Sequence, residues 1–363
     1  MAASESSAPF NVRQHLQAGQ VIPAHPLALT GARTLDERHQ RALTRYYVAA
    51  GAGGIAVGVH TTQFAIRDPR HGLLRPVLEL AAETADRALA TEAGDGAPPR
   101  PFVKIAGAIG DTRQAVADAE LAAACGYHAV LLSLGGLGEA DDARLIAHCR
   151  AVADVLPLVG FYLQPAVGGR HLGYAFWREL AELPRLVAIK IAPFDRYRTL
   201  DVVRAVAASG RDDVALYTGN DDNIVMDLLT PVPVVTGGRA GVRHIVGGLL
   251  GHWAVWTRAA VRMLDDIRAT RSTAMISREW LRVSAAVTDM NAAVFDPAHG
   301  FAGCIPGIHE VLRRQGLMRG VWTLDARERL SDGQAAELDR VTRDYPELTD
   351  DAWVREHRDT WLR

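Results

Sequence analysis

Eight short apolar runs, spaced by longer stretches of helical period, constrain the fold of this chain more than any other feature. They are Pro26–Thr30, Gly54–Gly58, Phe102–Ala106, Ala129–Ser133, Leu158–Tyr162, Leu186–Ile191, Val214–Thr218 and Val242–Val246. Most are apolar throughout, not alternating, which is the pattern of parallel strands buried on both faces. Between them Asp36–Ala50, Arg113–Cys125, Asp141–Val155 and Leu200–Ala208 repeat their apolar residues at helical spacing. Asp36 and Asp111 stand where N-caps are expected. An α/β chain of eight such units predicts a (β/α)8 TIM barrel. A doubly wound sheet would want a phosphate-binding glycine turn after its first strand, and Thr30-Gly31-Ala32-Arg33-Thr34 does not supply one. Glu92–Arg100 is rich in Gly and Pro and reads as an exposed loop. Beyond Trp253 the pattern is helical over Ala254–Arg268, Ser277–Met290 and Ile308–Gln315, with a charged, amphipathic tail from Leu330 to Arg363. The expected organisation is an N-terminal extension (1–20), the barrel (21–260) and a C-terminal helical region (261–363).

Composition narrows the function classes. A net charge of −2 over 363 residues, with 23% charged, gives no electrostatic case for nucleic acid or an anionic membrane. No run reaches the 18 or so apolar residues of a membrane span; even Val242 to Val255 is broken by Arg243, His244 and glycines. Cys125, Cys149 and Cys304 are too few and scattered for a disulfide framework or zinc site. The start, MAASESSAPFNVRQH, lacks the basic and apolar parts of a secretion signal. A cytoplasmic protein is expected.

The chemistry collects at strand ends, where barrels place their active groups. Lys190 interrupts the apolar run Leu186-Val187-Ala188-Ile189-Lys190-Ile191-Ala192. A buried ammonium is disfavoured by desolvation, so its pKa falls, and a neutral amine is a nucleophile toward carbonyl carbon. The alternative is a lysine whose head reaches solvent. Tyr162 ends the fifth run, 28 residues earlier, where a phenol can relay protons or simply be tied to backbone in the core. Thr61 and Thr62 follow the glycine turn of the second run, and hydroxyls and N–H groups there suit a carboxylate or cap an ordinary turn. Gly219, Asn220 and Asp221 follow the seventh run, with a turn-and-cap role favoured for the latter two. Gly237-Gly238 precedes the eighth run, in which Arg243 or His244 should point inward. His60, Arg170 and His171 also lie near strand ends, without a metal-ligand spacing.

That order of features resembles the dihydrodipicolinate synthase/N-acetylneuraminate lyase family. It comprises a threonine pair, a strand-end tyrosine before a proline, a strand-embedded lysine, a Gly-Asn-Asp turn, and paired glycines before the last strand. The resemblance runs from about Ile22 to Ala260, with a further match near Asn291–Leu317. It implies a Schiff-base barrel enzyme of the class I aldolase type acting on pyruvate or another 2-oxo acid, without metal or organic cofactor. Carried over, Lys190 is the Schiff-base lysine, Tyr162 the proton-transfer group, and Thr61 and Thr62 the carboxylate site. Gly219, Asn220 and Asp221 line the pocket, and His244 is expected to touch substrate. A homodimer or homotetramer is also implied.

The chain departs from the synthase pattern at several places. Gln63 and Phe64 follow the threonines where glycine and glutamate stand in the synthase, and Leu163 follows the tyrosine in place of asparagine. Val167 stands where an arginine holds a second carboxylate, with Arg170 three residues on. Ser133-Leu134-Gly135-Gly136-Leu137 lacks the relay tyrosine. With Phe64, Leu137, Leu163 and Val167 replacing polar groups, the expected second substrate is a less polar aldehyde, aromatic or short aliphatic. Three alternatives stand beside the aldolase: a 2-oxo acid dehydratase, a lapsed member that binds a small acid, and a metal-dependent barrel using His60, His171 or His244.

Overall fold

The computed structural model describes residues 10–94, 97–138 and 140–363. The first nine residues of the expected N-terminal extension, and Asp95 and Gly96 of the Glu92–Arg100 loop, lie outside the described residues. Eight parallel strands form the barrel: β1 (Val21–Pro23), β2 (Gly54–Val57), β3 (Val103–Ala108), β4 (Ala129–Leu132), β5 (Leu158–Leu163), β6 (Leu186–Ala192), β7 (Ala215–Thr218) and β10 (Gly247–Leu250). They run in the order β1-β10-β7-β6-β5-β4-β3-β2, and a parallel bridge between Ala24 and Ala56 closes the ring. The helices that follow them are α2 (Glu37–Ala49), α3 (Leu74–Ala93), α4 (Thr112–Ala124), α5 (Asp142–Ala153), α6 (Tyr174–Leu180), α7 (Arg196–Ala208), α8 (Ile224–Leu229) and α9 (Thr257–Arg271). Asp36 and Asp111 cap α2 and α4 as expected, accepting from His39 N–H and Gln114 N–H. The expected barrel boundary at residue 260 passes through α9.

Two of the expected strands are elsewhere. Pro26–Thr30 is a buried loop above the barrel: Pro26 lacks an N–H, and Gln40 takes over the pairing, accepting from Ala28 N–H at 2.7 Å and donating to Pro26 O at 3.0 Å. The first strand is Val21–Pro23. Val242–Val246 is not the eighth barrel strand. Val242 belongs to β9 (Arg239–Arg243), which pairs antiparallel with β8 (Val232–Thr236) in a hairpin inserted before the last barrel strand. Gly237 and Gly238, both at positive φ, make its two-residue turn. The eighth strand is Gly247–Leu250, whose glycines hid it. A Cβ on Gly248 would lie 2.5 Å from the Trp253 ring, so the position excludes the bulky residues that mark a strand.

The barrel lumen and the helix layer are separate cores. Ile22, Ile105, Leu131, Val159, Phe161 and Ala188 point inward. Helix α1 (Val12–Gln17) plugs the lower end through Leu16, whose carbonyl accepts from the Tyr217 hydroxyl at 2.8 Å. Val57 and Tyr162 point outward into the helix-layer core, which also holds Trp177 of α6 and Val203 of α7. After α9 come α10 (Glu279–Phe295), α11 (Cys304–Arg314), α12 (Gln334–Asp344) and α13 (Asp351–Trp361). The α10–α11 connection reaches the upper mouth of the barrel, and α13 packs on α2. Among the described residues no helix is long and apolar enough to cross a membrane.

Candidate active site

Lys190 points into the upper lumen from β6, on the same face as Ala188 and Ala192, and is 9% exposed. Its register partner on β5 is Phe161, and the ammonium nitrogen lies 4.6 Å from the centre of that ring. Burial pushes the lysine pKa down, while the charge of Asp221 opposes the shift. Its chain fits only because position 219 is glycine: a Cβ there would lie 2.6 Å from Lys190 Cε. Asp221, at the end of β7, completes the pair. Its Oδ1 accepts from His252 N–H at 3.1 Å, and its carbonyl accepts from the Asn291 amide. Burial raises the Asp221 pKa, so both groups move toward neutrality from opposite sides.

These two groups share a cavity of about 50 Å³ with His60, Thr61, Phe161 and Cys304. A space of that size, several times the roughly 10–15 Å³ needed to admit one water, suits only a small molecule. Burial lowers the His60 pKa to about 4, so its imidazole is neutral at pH 7. Phe295, Phe301 and Cys304 enter from the C-terminal helices and roof the site.

The threonine pair divides its work. Thr61 lines the cavity and donates to Ala24 O at 2.8 Å. Thr62 serves the turn instead: its hydroxyl accepts from Gly58 N–H at 3.0 Å and donates to His25 O at 2.7 Å.

Besides Thr62, three expected site residues are not brought to the cavity. Tyr162 faces the helix layer at 0% exposure, tilted against Trp177 with ring centres 5.1 Å apart. Its hydroxyl accepts from Leu172 N–H at 3.3 Å and Arg198 Nη1 at 3.2 Å. Successive strand residues face opposite sides, so with Phe161 beside Lys190 the next residue must point away. The irregularity of the pair lies on β6: Leu158 pairs with Leu186 and Val159 with Ala188, so the extra residue, Val187, re-aims Lys190 into the lumen while β5 alternates regularly. Asn220 is tied into the helix layer by Asp227 and Thr199, and accepts from Phe194 N–H at 2.9 Å. It thereby holds Phe194, at φ 53°, against the cavity. His244 lies between β9 and the N-terminal end of β10, at the opposite end of the barrel.

Residue order alone did not pick out Phe161, Phe295, Phe301 or Cys304 as site residues. Phe161 is adjacent to the residue chosen, but nothing local marks the other three. Among the described residues no three His, Cys, Asp or Glu side chains come together as a metal-ligand set.

A second cavity of about 420 Å³ opens above the first and shares His60, Val167 and Phe301 with it. Phe64, Ile305 and Leu324 form its walls, with Asp325 and Glu328 at its edge. Among the described residues no arginine lines either space; Arg170 donates instead to Ala140 O at 2.9 Å.

Residues 18–247 match the model of the Dihydrodipicolinate synthetase family. The 4-hydroxy-tetrahydrodipicolinate synthase of Acidothermus cellulolyticus is 29% identical over 240 residues, covering 64% of this chain and 68% of that one. Matches to further synthases of the same name span about half of their length. Among solved structures, the chloride-inhibited dihydrodipicolinate synthase from Acinetobacter baumannii complexed with pyruvate superposes with a TM-score of 0.71 at 17% identity, covering 91% of this chain and 99% of the other. The N-acetylneuraminate lyase from Fusobacterium nucleatum gives 0.69 at 14% identity, covering 90% and 99%. At these identities the structural likeness establishes the fold.

Proposed function

The chain belongs to the dihydrodipicolinate synthetase family of class I aldolase-type lyases, and from that premise we propose that Lys190 forms a Schiff base with pyruvate or a similarly small 2-oxo acid. The observation that carries this reading is the lysine amine in a small, mostly apolar cavity beside a buried carboxyl group. The neutral amine adds to the ketone carbon to give a carbinolamine. Loss of water, with proton transfer, gives the imine. Removal of a proton from C3 then gives an enamine, whose carbon bonds to an aldehyde carbon while the aldehyde oxygen takes a proton. Thr61 stands where the carboxylate would be held.

With Tyr162 turned away and Phe161 lacking a hydroxyl, the proton carrier in this reading is Asp221. It is the acid–base group of the cavity whose burial brings it near the working pH. The apolar outer cavity with an acidic edge and no arginine favours an uncharged, apolar aldehyde over a dicarboxylate partner. As in the family pattern, the enzyme is expected to be a homodimer or homotetramer, to be checked by light scattering.

Proton NMR of pyruvate in D2O tests the reading. The enzyme should exchange the methyl protons for deuterium, and Lys190→Ala should not. Absence of exchange by the native protein would overturn it. The orientation of Tyr162 favours one second reading, a lapsed member that forms the imine without carbon–carbon chemistry. Turnover of pyruvate with any aldehyde from an aromatic and aliphatic panel would exclude it.

A further inference from the structure

A cavity rich in arginine lies outside the barrel, where α2, α3, the start of α9 and α13 meet. They enclose a space of about 540 Å³, roughly ten times the volume around Lys190 and within the 300–1,000 Å³ typical of small-molecule sites. Four guanidinium groups line it: Arg41, Arg45, Arg87 and Arg258. Two carboxylates stand nearby. Glu83 is shared between Arg41, at 3.3 Å, and Arg87, at 2.5 Å. Glu92 is taken up by Arg100 at 2.9 Å. Arg45 donates to the Trp361 carbonyl and to a main-chain oxygen of Arg363, the last residue of the sequence, whose terminal carboxylate offsets part of the Arg45 charge. Burial and the like charges of Arg41 and Arg87 disfavour the protonated form of Arg45. A cluster of this kind repels itself, and an anion that enters it relieves the repulsion.

The remaining wall is aromatic. The Arg258 guanidinium lies 4.5 Å from the centre of the Trp353 ring. His357 follows one helical turn later on the same face of α13, its Nδ1 donating to Trp353 O at 2.9 Å. Its ring stacks at 20° on Trp361. Arginine forks match phosphate oxygens, and ring and guanidinium planes together accept a flat aromatic group.

We propose that this cavity is a second ligand site, separate from the lysine pocket, that binds a phosphate monoester carried on a flat aromatic ring, the chemistry of a nucleoside monophosphate. Arg41, Arg45 and Arg87 take the phosphate, and Trp353 with His357 takes the ring. Because α13 supplies one wall and α2 and α3 the others, an occupant stabilises the docking of the C-terminal helix by mass action.

Calorimetry and thermal melting of the full chain with adenosine 5′-monophosphate test this, with adenosine and inorganic phosphate as separate arms. The nucleotide should bind with a Kd below about 1 mM and raise Tm, with each half at least about tenfold weaker. Arg41→Ala/Arg87→Ala should weaken nucleotide binding by about tenfold or more, and so should Trp353→Ala. The trapped pyruvate adduct at Lys190 should stay at native yield in the arginine variant, as a check that the fold is intact. Two results would overturn the proposal: no binding at millimolar nucleotide, or binding that the substitutions leave unchanged in folded protein. Phosphate alone binding as tightly as the nucleotide would overturn the aromatic half of the assignment.

Discussion

The two faces of the β5–β6 pair carry residues with opposite fates. On the lumen face, Lys190 and Phe161 lie side by side in a small cavity where burial moves the lysine and Asp221 toward their neutral forms. On the helix face, Tyr162 and Ile191 are neighbours in the same register, and the phenol is held by Leu172 N–H, Arg198 and Trp177. One residue of offset separates a group that meets substrate from one that braces α6 and α7. Chemistry here belongs to the face, and motif order names the face only when the strand is regular.

Substitutions on the two faces should separate by orders of magnitude. Lys190→Ala should abolish pyruvate adduct formation and lower turnover to background, measured by mass spectrometry and a coupled aldehyde assay. Asp221→Asn should lower kcat by about 10²- to 10⁴-fold, the usual share of an acid–base group. The same change removes the negative charge that raises the Lys190 pKa, so the midpoint for imine formation should move to lower pH, read by stopped-flow across pH. A midpoint that rises or stays fixed would break the pairing of the two groups.

Gly219→Ala places a methyl group against Lys190 Cε. It should cost about 1–3 kcal/mol by overpacking and weaken the adduct, seen in chemical denaturation and trapping yield. Tyr162→Phe should have the smallest effect. It loses hydrogen bonds in the helix layer, a destabilisation of about 1 kcal/mol, and leaves trapping and kcat near native values. A 10²-fold or greater fall in kcat would place the phenol in the proton path after all.

Much of the barrel was legible because β3 through β7 are mostly apolar on both faces, with Lys104 on β3 and Lys190 on β6 the charged exceptions. The ends of the barrel were less so. Pro26–Thr30 is as apolar as a strand, yet Gln40 satisfies its backbone as a loop. Gly247–Leu250 is half glycine and gave no strand signal, while the exposed hairpin residue Val242 did. Lys190, Thr61 and Gly219 line one cavity, and Asp221 lines it too, although its position after the strand favoured a turn-and-cap role and only the family resemblance implied a place in the pocket. Tyr162 and Lys190 do not share a face because β6 carries one extra residue, Val187, ahead of the lysine, which spacing cannot show; the alternative of a core tyrosine tied to backbone describes Tyr162 better. His244 went with the misassigned eighth strand. Phe295, Phe301 and Cys304 reach the cavity through the tertiary path of the C-terminal helices, which no local pattern encodes.

Borohydride reduction of the native protein in pyruvate, followed by peptide mapping, tests the central claim most directly. One reduced pyruvyl adduct is expected, confined to the peptide that contains Lys190 and retained in Tyr162→Phe. No adduct, or an adduct on another lysine, would contradict it.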